Sequence, residues 1–490
     1  MNNIFDKLKN YSDSDYYAFH MPGHKRNLDL MDGTSPYRID ITEIDGFDDL
    51  HHAEGILRDA QERAARVYHA DETHFLVNGS TVGILSAILG TTEKGDSILV
   101  ARNCHKSVYH AIYLNELDPV YLYPKFDTEQ GLSTEIDAAD VQKALEEHPK
   151  IRAVMIVSPT YDGVVSDIEK IAEIVHAKGC PLIVDEAHGA HFGFDPYFPK
   201  SANIYGADLV INSLHKTLPA LTQTALLHVN GDMVKRRKVK QYLDMLQTSS
   251  PSYILMASID ACIGMLEETL ETHSDARSDY KYKNKNIFSE YANRIEALRK
   301  DLKRLKYLKI IQTDNTDRYD RSKFVISVKH APMSSHELYE ILLHRYHLQM
   351  EMLAGTYVLA MTTVGDTQEG LDRLRDALLE IDKEIDTRQG RPAAIETDLP
   401  LSGRQPALEK VWTIAEAVNR RDKIQKRSFE DSIGCISVEY AYLYPPGSPL
   451  IVPGERITKE AVEILQWYQE HDFSIEGLQS EDGIEVWIDG

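Results

Sequence analysis

Short apolar segments of strand type alternate with amphipathic helical segments between residues 54 and 229. Strands are predicted at 96–101, 153–158 and 223–229, and helices with one apolar face at 54–68 and 167–178. Such alternation favours an α/β fold, in which helices pack on both faces of a mostly parallel sheet. Ligands bind such sheets at the carboxyl ends of the strands, so residues that follow predicted strands are candidate site residues.

Two further predicted strands end in residues that can carry chemistry. The apolar run 209–211 is followed closely by Lys216, and the run 182–184 ends at Asp185. Burial disfavours the charged form of an amine, and a neutral amine can attack an aldehyde to form a Schiff base. A lysine Schiff base and an aspartate facing a pyridinium nitrogen are the usual protein contributions to pyridoxal phosphate (PLP) chemistry. Taken singly, Lys216 also fits a solvated loop, and Asp185 also fits a helix N-cap.

A glycine-containing turn lies upstream of both residues. The segment Asn78-Gly79-Ser80-Thr81 follows a predicted strand and opens an apolar helix. Backbone N–H groups at such a helix start, together with the hydroxyls of Ser80 and Thr81, favour the binding of a phosphate. The turn is neither a Walker motif nor a dinucleotide-binding fingerprint. His105 lies at the start of another predicted helix, where a histidine can also cap the helix or only fill space.

The composition excludes several classes of protein. The formal net charge is −23, from 54 basic and 77 acidic residues, so the surface is expected to repel nucleic acid and anionic lipid. No apolar run is long enough to span a membrane, and the polar N-terminus has no signal-peptide core. The four cysteines are scattered, so we expect no metal site, no disulfide framework and a reducing, cytoplasmic location.

Four regions are predicted along the 490 residues. They are an N-terminal arm with little regular structure (1–50), a large cofactor-binding domain (51–283), a small α+β domain (284–390) and a C-terminal domain (391–490). A long charged helix at 284–304 would bridge the two central domains, and residues 387–405 are typical of a linker. Aromatic residues mixed with proline and glycine at 437–449 favour an ordered loop in the tail.

Seven short motifs occur in an order that resembles the ornithine/lysine/arginine decarboxylases of the aspartate-aminotransferase-like PLP fold. They are His20-Met21-Pro22-Gly23-His24-Lys25, Asn78-Gly79-Ser80-Thr81, Asn103-Cys104-His105-Lys106-Ser107, Asp185-Glu186-Ala187-His188-Gly189-Ala190-His191, Ser213-Leu214-His215-Lys216, Thr248-Ser249-Ser250-Pro251-Ser252-Tyr253, and Tyr444-Pro445-Pro446-Gly447-Ser448-Pro449 with Pro453-Gly454-Glu455. Each motif alone is weak, but their joint order is specific and covers nearly the whole chain. The resemblance is to the short bacterial branch, since no wing domain precedes the arm. It implies PLP fold type I, with a mostly parallel seven-stranded sheet, flanking helices and a smaller C-terminal α+β domain.

The resemblance implies a role for each matching residue. Lys216 would carry the cofactor, Asp185 would pair with its ring nitrogen, and His105 and Ala187 would cover the two faces of its ring. The phosphate would be held by Gly79, Ser80, Thr81, Ser213 and His215, with Ser249 or Ser250 approaching from a neighbouring subunit. His188 would lie near the phenolic oxygen of the ring, and it joins Lys216 and His105 in the predicted catalytic set.

The resemblance also implies the reaction, which is decarboxylation of a basic L-amino acid to an amine and CO₂. Arginine, giving agmatine, is slightly favoured over lysine, giving cadaverine. A buried substrate cation needs a carboxylate partner, for which Glu439 and Asp45 are candidates, with His24 as a further substrate contact. A homodimer is the smallest assembly implied, and further association of dimers stays open.

Three other functions remain to be weighed against this one. Another PLP enzyme of the same fold, such as an aminotransferase or a C–S lyase, is disfavoured by the arm and by the Tyr-Pro-Pro-Gly tail. A PLP-binding regulator without catalysis would normally carry a basic DNA-binding module, for which the arm is too short. A dinucleotide-binding enzyme lacks its Gly-x-Gly-x-x-Gly turn here and leaves Lys216 unexplained.

Overall fold

The structure is a computed structural model, and it describes residues 14–20, 23–25, 27, 36–271, 286–312, 316–387, 405–420, 422–444 and 448–488. Met21, Pro22 and the Pro445-Pro446-Gly447 part of the tail motif therefore lie outside the described residues. The same holds for most of the predicted linker and for the first part of the arm.

Seven strands form the largest sheet, and we number them β1 to β7 in chain order. They are Glu72–Leu76, Ser97–Ala101, Asp118–Leu122, Ile151–Val157, Leu182–Asp185, Leu209–Asn212 and Ala225–Val229. Their order across the sheet is β1-β7-β6-β5-β4-β2-β3, and only β7 runs against its two neighbours. The predicted mostly parallel, seven-stranded sheet is confirmed. Because β2, β4, β5 and β6 run in parallel, their carboxyl ends all lie at the same edge of the sheet.

Helices cover both faces of this sheet, because its strands are apolar on both sides. The neighbouring residues Phe75 and Leu76 of β1, for example, belong to two different hydrophobic cores. The helices are Ile56–Val67, Gly79–Thr91, Lys106–Leu114, Ala138–Glu147, Ile168–Ala177, Leu214–Thr217, Arg236–Leu246 and Tyr253–Glu271. Gly83 lets the second of them lie directly on the sheet, since a Cβ there would come within 2.7 Å of Leu76 Cδ1.

A smaller four-stranded antiparallel sheet follows the bridging helix Ile287–Leu302. Its strands are Lys309–Ile311, Lys323–Ser327, Met352–Ala354 and Tyr357–Met361, and the helices Ser335–His344 and Gln368–Thr387 accompany it. The arm contributes the strand Tyr17–Phe19, which pairs in parallel with Leu348–Met350, and the short helix Pro36–Ile39. The arm thus has more regular structure than predicted, because its apolar residues Ala18 and Phe19 are buried against this domain.

The C-terminal region contains a five-stranded and a three-stranded sheet. The strands are Glu409–Lys410, Ile424–Arg427, Ile436–Ser437, Ala441–Tyr444, Ser448–Ile451, Glu455–Arg456, Ser474–Glu476 and Ile484–Trp487, and the helices are Ile414–Val418 and Lys459–Glu470. The ordered loop predicted at 437–449 is wrong, because Ala441–Tyr444 and Ser448–Ile451 pair as antiparallel strands. Within the described residues, no helix is both long and apolar enough to pass through a membrane.

The arm touches the turn that carries Lys216. Gly23 N donates to His215 O at 2.6 Å, and Thr363 Oγ1 donates to Gly23 O at 2.6 Å. A Cβ at Gly23 would lie 2.7 Å from the backbone N and O of Leu218, so the approach requires glycine. Lys25, which is buried, donates to the carbonyls of His20 and Met361, each at 2.8 Å. The arm therefore links the small domain to the large one beside the candidate site.

Candidate active site

A cavity of about 220 Å³ opens where the carboxyl edge of the large sheet meets the small and C-terminal domains. The large sheet contributes Asn103 after β2, Val157 at the end of β4 and Asp185 at the end of β5. The small domain contributes Tyr357, and the C-terminal domain contributes Tyr468. The cavity therefore lies where an α/β sheet is expected to bind its ligand.

Lys216 lies in the short helix Leu214–Thr217, which follows β6 directly, and its side chain reaches this cavity. Its Nζ lies 3.1 Å from Nε2 of His188. Desolvation lowers the pKa of Lys216 below its ordinary value, and the nearby carboxylate of Asp185 opposes that shift. The amine is thus brought toward the neutral form that attacks an aldehyde.

Asp185 is the last residue of β5 and is 3% exposed. Its Oδ1 accepts a hydrogen bond from the N–H of Ala187 at 3.1 Å. Burial raises the pKa of Asp185, and the cation of Lys216 is the main opposing influence. A second cation placed in the cavity would favour the ionised carboxylate further, as a protonated ring nitrogen would.

His105 faces the same cavity and also caps a helix, so the cap is observed and the stacking role stays a prediction. It is the N-cap of the helix Lys106–Leu114, and its Nδ1 lies 2.8 Å from Ser107 Oγ and accepts from Ser107 N. The rest of the ring is open to the cavity. Desolvation in this narrow space, and then the charge of Lys216, lower the pKa of His105 to about 3, so the ring is neutral. Ala187, which is buried, also lines the cavity.

Of the predicted phosphate residues, Gly79, Ser80 and Thr81 begin the helix Gly79–Thr91, and Ser80 lines the cavity. Gly79 adopts a φ of +71°, and its N–H donates to Gln223 O at 2.9 Å. The side chain of Asn78 does not cap the helix, so the N–H groups that follow Gly79 suit another acceptor. Ser213 Oγ is buried and has no hydrogen-bond partner among the described residues. His215 Nδ1 lies 2.8 Å from Thr224 O, and Thr81 is exposed.

Ser249 and Ser250 are exposed and lie outside the cavity. The N–H of the preceding Thr248 donates to Asn78 Oδ1 at 3.2 Å, which holds this segment beside the glycine turn of the same chain. Their predicted approach to the site of a neighbouring subunit stays a prediction.

The three predicted substrate contacts do not line the cavity. Glu439 is 7% exposed and accepts hydrogen bonds from the backbone N–H groups of Gln479 (2.9 Å) and Glu485 (2.7 Å). Asp45 lies in an exposed loop, and His24 lies in the arm beside the Lys216 turn.

Sequence reasoning missed two charged residues of this region. Asp162, four residues after the predicted strand 153–158, lines the cavity and accepts from Tyr357 Oη at 2.6 Å. Its position after a strand end was the available signal. Lys323 comes from the small domain, and its Nζ lies 3.2 Å from His188 Nδ1. Nothing near Lys323 in the sequence indicates that contact.

The residues present fit PLP. Lys216 is a desolvated amine, Asp185 is a buried carboxylate across the same cavity, and Ser213 offers a buried hydroxyl without a partner among the described residues. The neutral, open ring of His105 suits stacking on a flat heterocycle.

The fold defines the class of protein. The lysine decarboxylase LdcF of Francisella novicida superposes with a TM-score of 0.76 at 18% identity, over 98% of this chain and 80% of that one. Lysine decarboxylase A from Pseudomonas aeruginosa gives a TM-score of 0.75 at 20% identity, over 99% of this chain and 80% of that one. At these identities the similarity shows the fold alone, which is that of PLP enzymes of fold type I.

Sequence comparison gives the family. Residues 2–333 match the Orn/Lys/Arg decarboxylase major domain, and residues 404–486 match the C-terminal domain of the same family. The chain belongs to the Orn/Lys/Arg decarboxylase family. The arginine decarboxylase of Bacillus subtilis is 31% identical over 471 residues, which are 94% of this chain and 92% of that protein. The uncharacterised protein YaaO of the same organism is 36% identical over 470 residues, 94% of this chain and 93% of that one.

Proposed function

We propose that this chain binds PLP through Lys216 and decarboxylates a basic L-amino acid to an amine and CO₂. Arginine is the first candidate substrate and lysine the second. The observation that carries the proposal is the shared cavity of Lys216 and Asp185 in a member of the Orn/Lys/Arg decarboxylase family. Four relatives that match at least 92% of this chain bear the name arginine decarboxylase, which supports placing arginine before lysine.

The bound cofactor would supply an electron sink for the bond that breaks. Lys216 would hold it, Asp185 would face its ring nitrogen, and His105 and Ala187 would enclose the ring. The start of the helix Gly79–Thr91, with Ser80 and Ser213, would hold the phosphate. These residues fix the plane of the ring, and the substrate bond held perpendicular to that plane is the one that reacts.

Two of the chain's own groups are placed to handle the proton that replaces CO₂. Nζ of Lys216 lies 3.1 Å from Nε2 of His188, so a proton can pass between them without either group moving far. Burial and the two neighbouring lysine charges lower the pKa of His188 well below its ordinary value, which keeps its ring neutral. Lys216 is then the group that delivers the proton to the α-carbon.

Asp162 is the carboxylate best placed to meet a substrate cation. Among the described residues that line the cavity, Asp162 and Asp185 are the acidic ones, and Asp185 has the ring nitrogen as its partner in this scheme. Burial raises the pKa of Asp162 to about 6. The ammonium or guanidinium of a bound substrate would stabilise its ionised form, which is the pairing that a desolvated cation needs.

The competing functions have less support. An aminotransferase or C–S lyase on this fold would account for the large domain but not for the match of residues 404–486 to the decarboxylase C-terminal domain. A non-catalytic PLP-binding regulator would use the same amine and carboxylate to hold the cofactor, so it differs from the proposed enzyme only in forming no product. Both remain outcomes of the following test.

The test is incubation of the purified, PLP-loaded protein with arginine, lysine and ornithine separately, with identification of the products. We expect agmatine and CO₂ from arginine at the highest kcat/KM. The variant Asp162→Asn should raise KM for that substrate by roughly 10- to 100-fold, because a charged hydrogen bond contributes about 1.5–3 kcal/mol. The matched control is Asp431→Asn, which changes an exposed carboxylate of the C-terminal domain that accepts from Ser428 Oγ and lies outside the cavity lining. A keto acid as product, or no product from any of the three, contradicts the proposal.

We infer that the working form is at least a homodimer. The segment 39–56 exposes the large apolar side chains Ile39, Ile44, Phe47 and Ile56, which a single chain leaves in water. Light scattering should give a mass near twice the 55.6 kDa of the chain, and a mass near 55.6 kDa contradicts the inference.

We also propose a cytoplasmic location. All four cysteines are free, and three of them are buried, which suits a reducing compartment. Cell fractionation with activity assays tests this, and activity outside the cytoplasm contradicts it.

A further inference from the structure

The imidazole of His188 lies between two lysine amines. Its Nε2 is 3.1 Å from Lys216 Nζ, and its Nδ1 is 3.2 Å from Lys323 Nζ. His188 is 5% exposed and Lys323 is 0% exposed. Lys323 begins the strand Lys323–Ser327, so an amine of the small domain reaches across to the site residues of the large domain.

The hydrogen bonds of a neutral imidazole constrain the charges of both lysines. Such a ring has one N–H donor and one acceptor nitrogen, whereas an ammonium can only donate. The ring therefore accepts from one lysine and donates to the other. The lysine that accepts must be a neutral amine. Both contacts can be hydrogen bonds only when one of Lys216 and Lys323 has lost its proton.

The surroundings decide which lysine keeps the charge. The groups around Lys323 are Asp320, Glu351 and Asp162, whose carboxylates favour the ammonium, and Lys25 and Lys216, whose charges oppose it. Lys216 has Asp185 and Glu351 as the carboxylates acting on it. In the proposed function, Asp185 is occupied by the ring nitrogen of the cofactor. The charge then belongs on Lys323, and the N–H on Nε2 of His188 donates to the lone pair of a neutral Lys216.

The contacts of Lys323 hold its backbone and its aliphatic stem in place. Arg299 Nη2 donates to Lys323 O at 2.6 Å. Gly163 lies against the aliphatic stem, and a Cβ at that position would come within 3.0 Å of Lys323 Cγ. The ring of Tyr161 packs on the imidazole of His188, with their centroids 4.4 Å apart.

We propose that Lys323 is a positioning residue that stores a proton for Lys216 and exchanges it through the ring of His188. The proposal rests on the proposed function, in which Lys216 holds the cofactor. In the forward direction Lys323 gives a proton to Nδ1 of His188, and Nε2 gives its own proton to Lys216. The ring ends neutral with its N–H on Nδ1, Lys323 ends as a neutral amine, and Lys216 carries the positive charge. Lys216 passes this proton to the α-carbon that lost CO₂, and solvent recharges Lys323 before the next turnover.

The proton affinity of Lys323 suits this exchange. Desolvation lowers the pKa of Lys323 to about 8, so the group holds its proton at neutral pH and yet releases it at little cost. A lysine with an ordinary pKa would hold its proton far more firmly.

The test uses cofactor-free protein, so that its main readout does not depend on turnover. Cyanate carbamylates neutral amines, and mass spectrometry quantifies the modification of Lys216 at each pH. In Lys323→Met the ring of His188 can accept from Lys216, which then keeps its proton to higher pH. We expect the half-maximal pH for modification of Lys216 to rise by about one unit, a tenfold change in its proton affinity. If this variant does not fold, Lys323→Leu, which likewise removes the donor to Nδ1, should give the same direction.

The matched control is Lys25→Met, a second buried lysine near the site. Its ammonium donates to two backbone carbonyls rather than to His188, and the loss of its charge favours the ammonium of Lys323. The half-maximal pH for modification of Lys216 should therefore not rise in this variant. In the loaded enzyme, Lys323→Met should lower kcat by roughly 10²-fold with little change in KM, as expected for loss of a proton-transfer group. Lys323→Arg should not restore kcat, because arginine donates to His188 but does not release its proton.

The outcomes separate this inference from the proposed function. An unchanged modification profile of Lys216 in Lys323→Met overturns the inference, and so does full rescue of kcat by Lys323→Arg. A shifted profile in a protein that forms no amine from any basic amino acid supports the coupling of the two lysines and refutes the proposed function alone.

Discussion

Replacement of Lys216 by alanine is expected to abolish turnover and to remove the absorbance band of the lysine-bound cofactor. Lys216 is the amine of the cavity that lies within hydrogen-bond distance of His188, and desolvation lowers its pKa. Without it, the chain has neither a covalent attachment for PLP nor the proposed proton donor for the α-carbon. We expect kcat to fall by about 10⁴-fold or more, the scale seen when a covalent catalytic group is removed. Amine formation and the absorbance spectrum are the measurements.

The control for this variant is Lys143→Ala. Lys143 is 71% exposed and its ion-pair partner is Glu147 on the same helix, far in structure from the cavity lining. Its activity and spectrum should match those of the natural chain. Turnover retained in Lys216→Ala would show that another residue holds the cofactor, and the assignment of the site would be wrong.

The second large effect is on stability, at the contact between the C-terminal and large domains. Arg102 and Glu455 form a fully buried ion pair of 2.9 Å, and Arg102 also donates to Leu450 O at 3.1 Å. Arg102→Met leaves the Glu455 carboxylate buried without its cation, with the N–H of Val452 as its remaining donor. We expect the free energy of unfolding to fall by about 3–5 kcal/mol. Urea unfolding followed by tryptophan fluorescence measures this in the C-terminal domain, which holds all three tryptophans of the chain.

The loss of stability in Arg102→Met should depend on pH. Burial raises the pKa of Glu455, and Arg102 opposes that shift, so its removal raises the pKa further. A carboxyl group whose pKa is raised in the folded state does not change stability at a pH where it is protonated in both the folded and the unfolded chain. It destabilises the fold as the pH rises above its pKa in the unfolded chain. The loss should therefore be larger at pH 8 than at pH 5.

The neighbouring exposed pair provides the comparison. Arg456→Met removes the partner of Glu409, and both side chains of that pair are largely in water, at 42% and 65% exposed. Its effect should stay within about 1 kcal/mol. If the two variants lose equal stability, the buried pair does not hold the C-terminal domain in place.

Much of the fold was predictable because its signals are local. The strands β5 and β6 are buried at every residue, so they appear in the sequence as continuous apolar runs, and a parallel order follows from their alternation with helices. The positions of Lys216 and Asp185 relative to those strand ends follow in the same way. The arm strand Tyr17–Phe19 was not predicted, since three residues carry no period and their partner strand is distant in sequence.

The substrate end of the site was harder to predict from sequence. The place of Glu439 before the Tyr-Pro-Pro-Gly motif makes it a candidate, but its carboxyl group is occupied by backbone N–H groups of its own domain. Asp45 is a candidate because its stretch is rich in carboxylates, but it lies in an exposed loop. Asp162 and Lys323 meet the site through tertiary contacts with Tyr357 and His188, which belong to other parts of the chain. No spacing rule connects residues that come together only when two domains pack.

The pairing of the arm with Leu348–Met350 bears on the order of events during synthesis. Tyr17 leaves the ribosome first, but its partner Leu348 follows only after more than three hundred further residues, which at 5–20 residues per second is tens of seconds. Until then Gly23 has no Thr363 to anchor it against the Lys216 turn. A nascent chain that has completed its large sheet therefore still lacks the contacts that place its first residues beside the Lys216 turn.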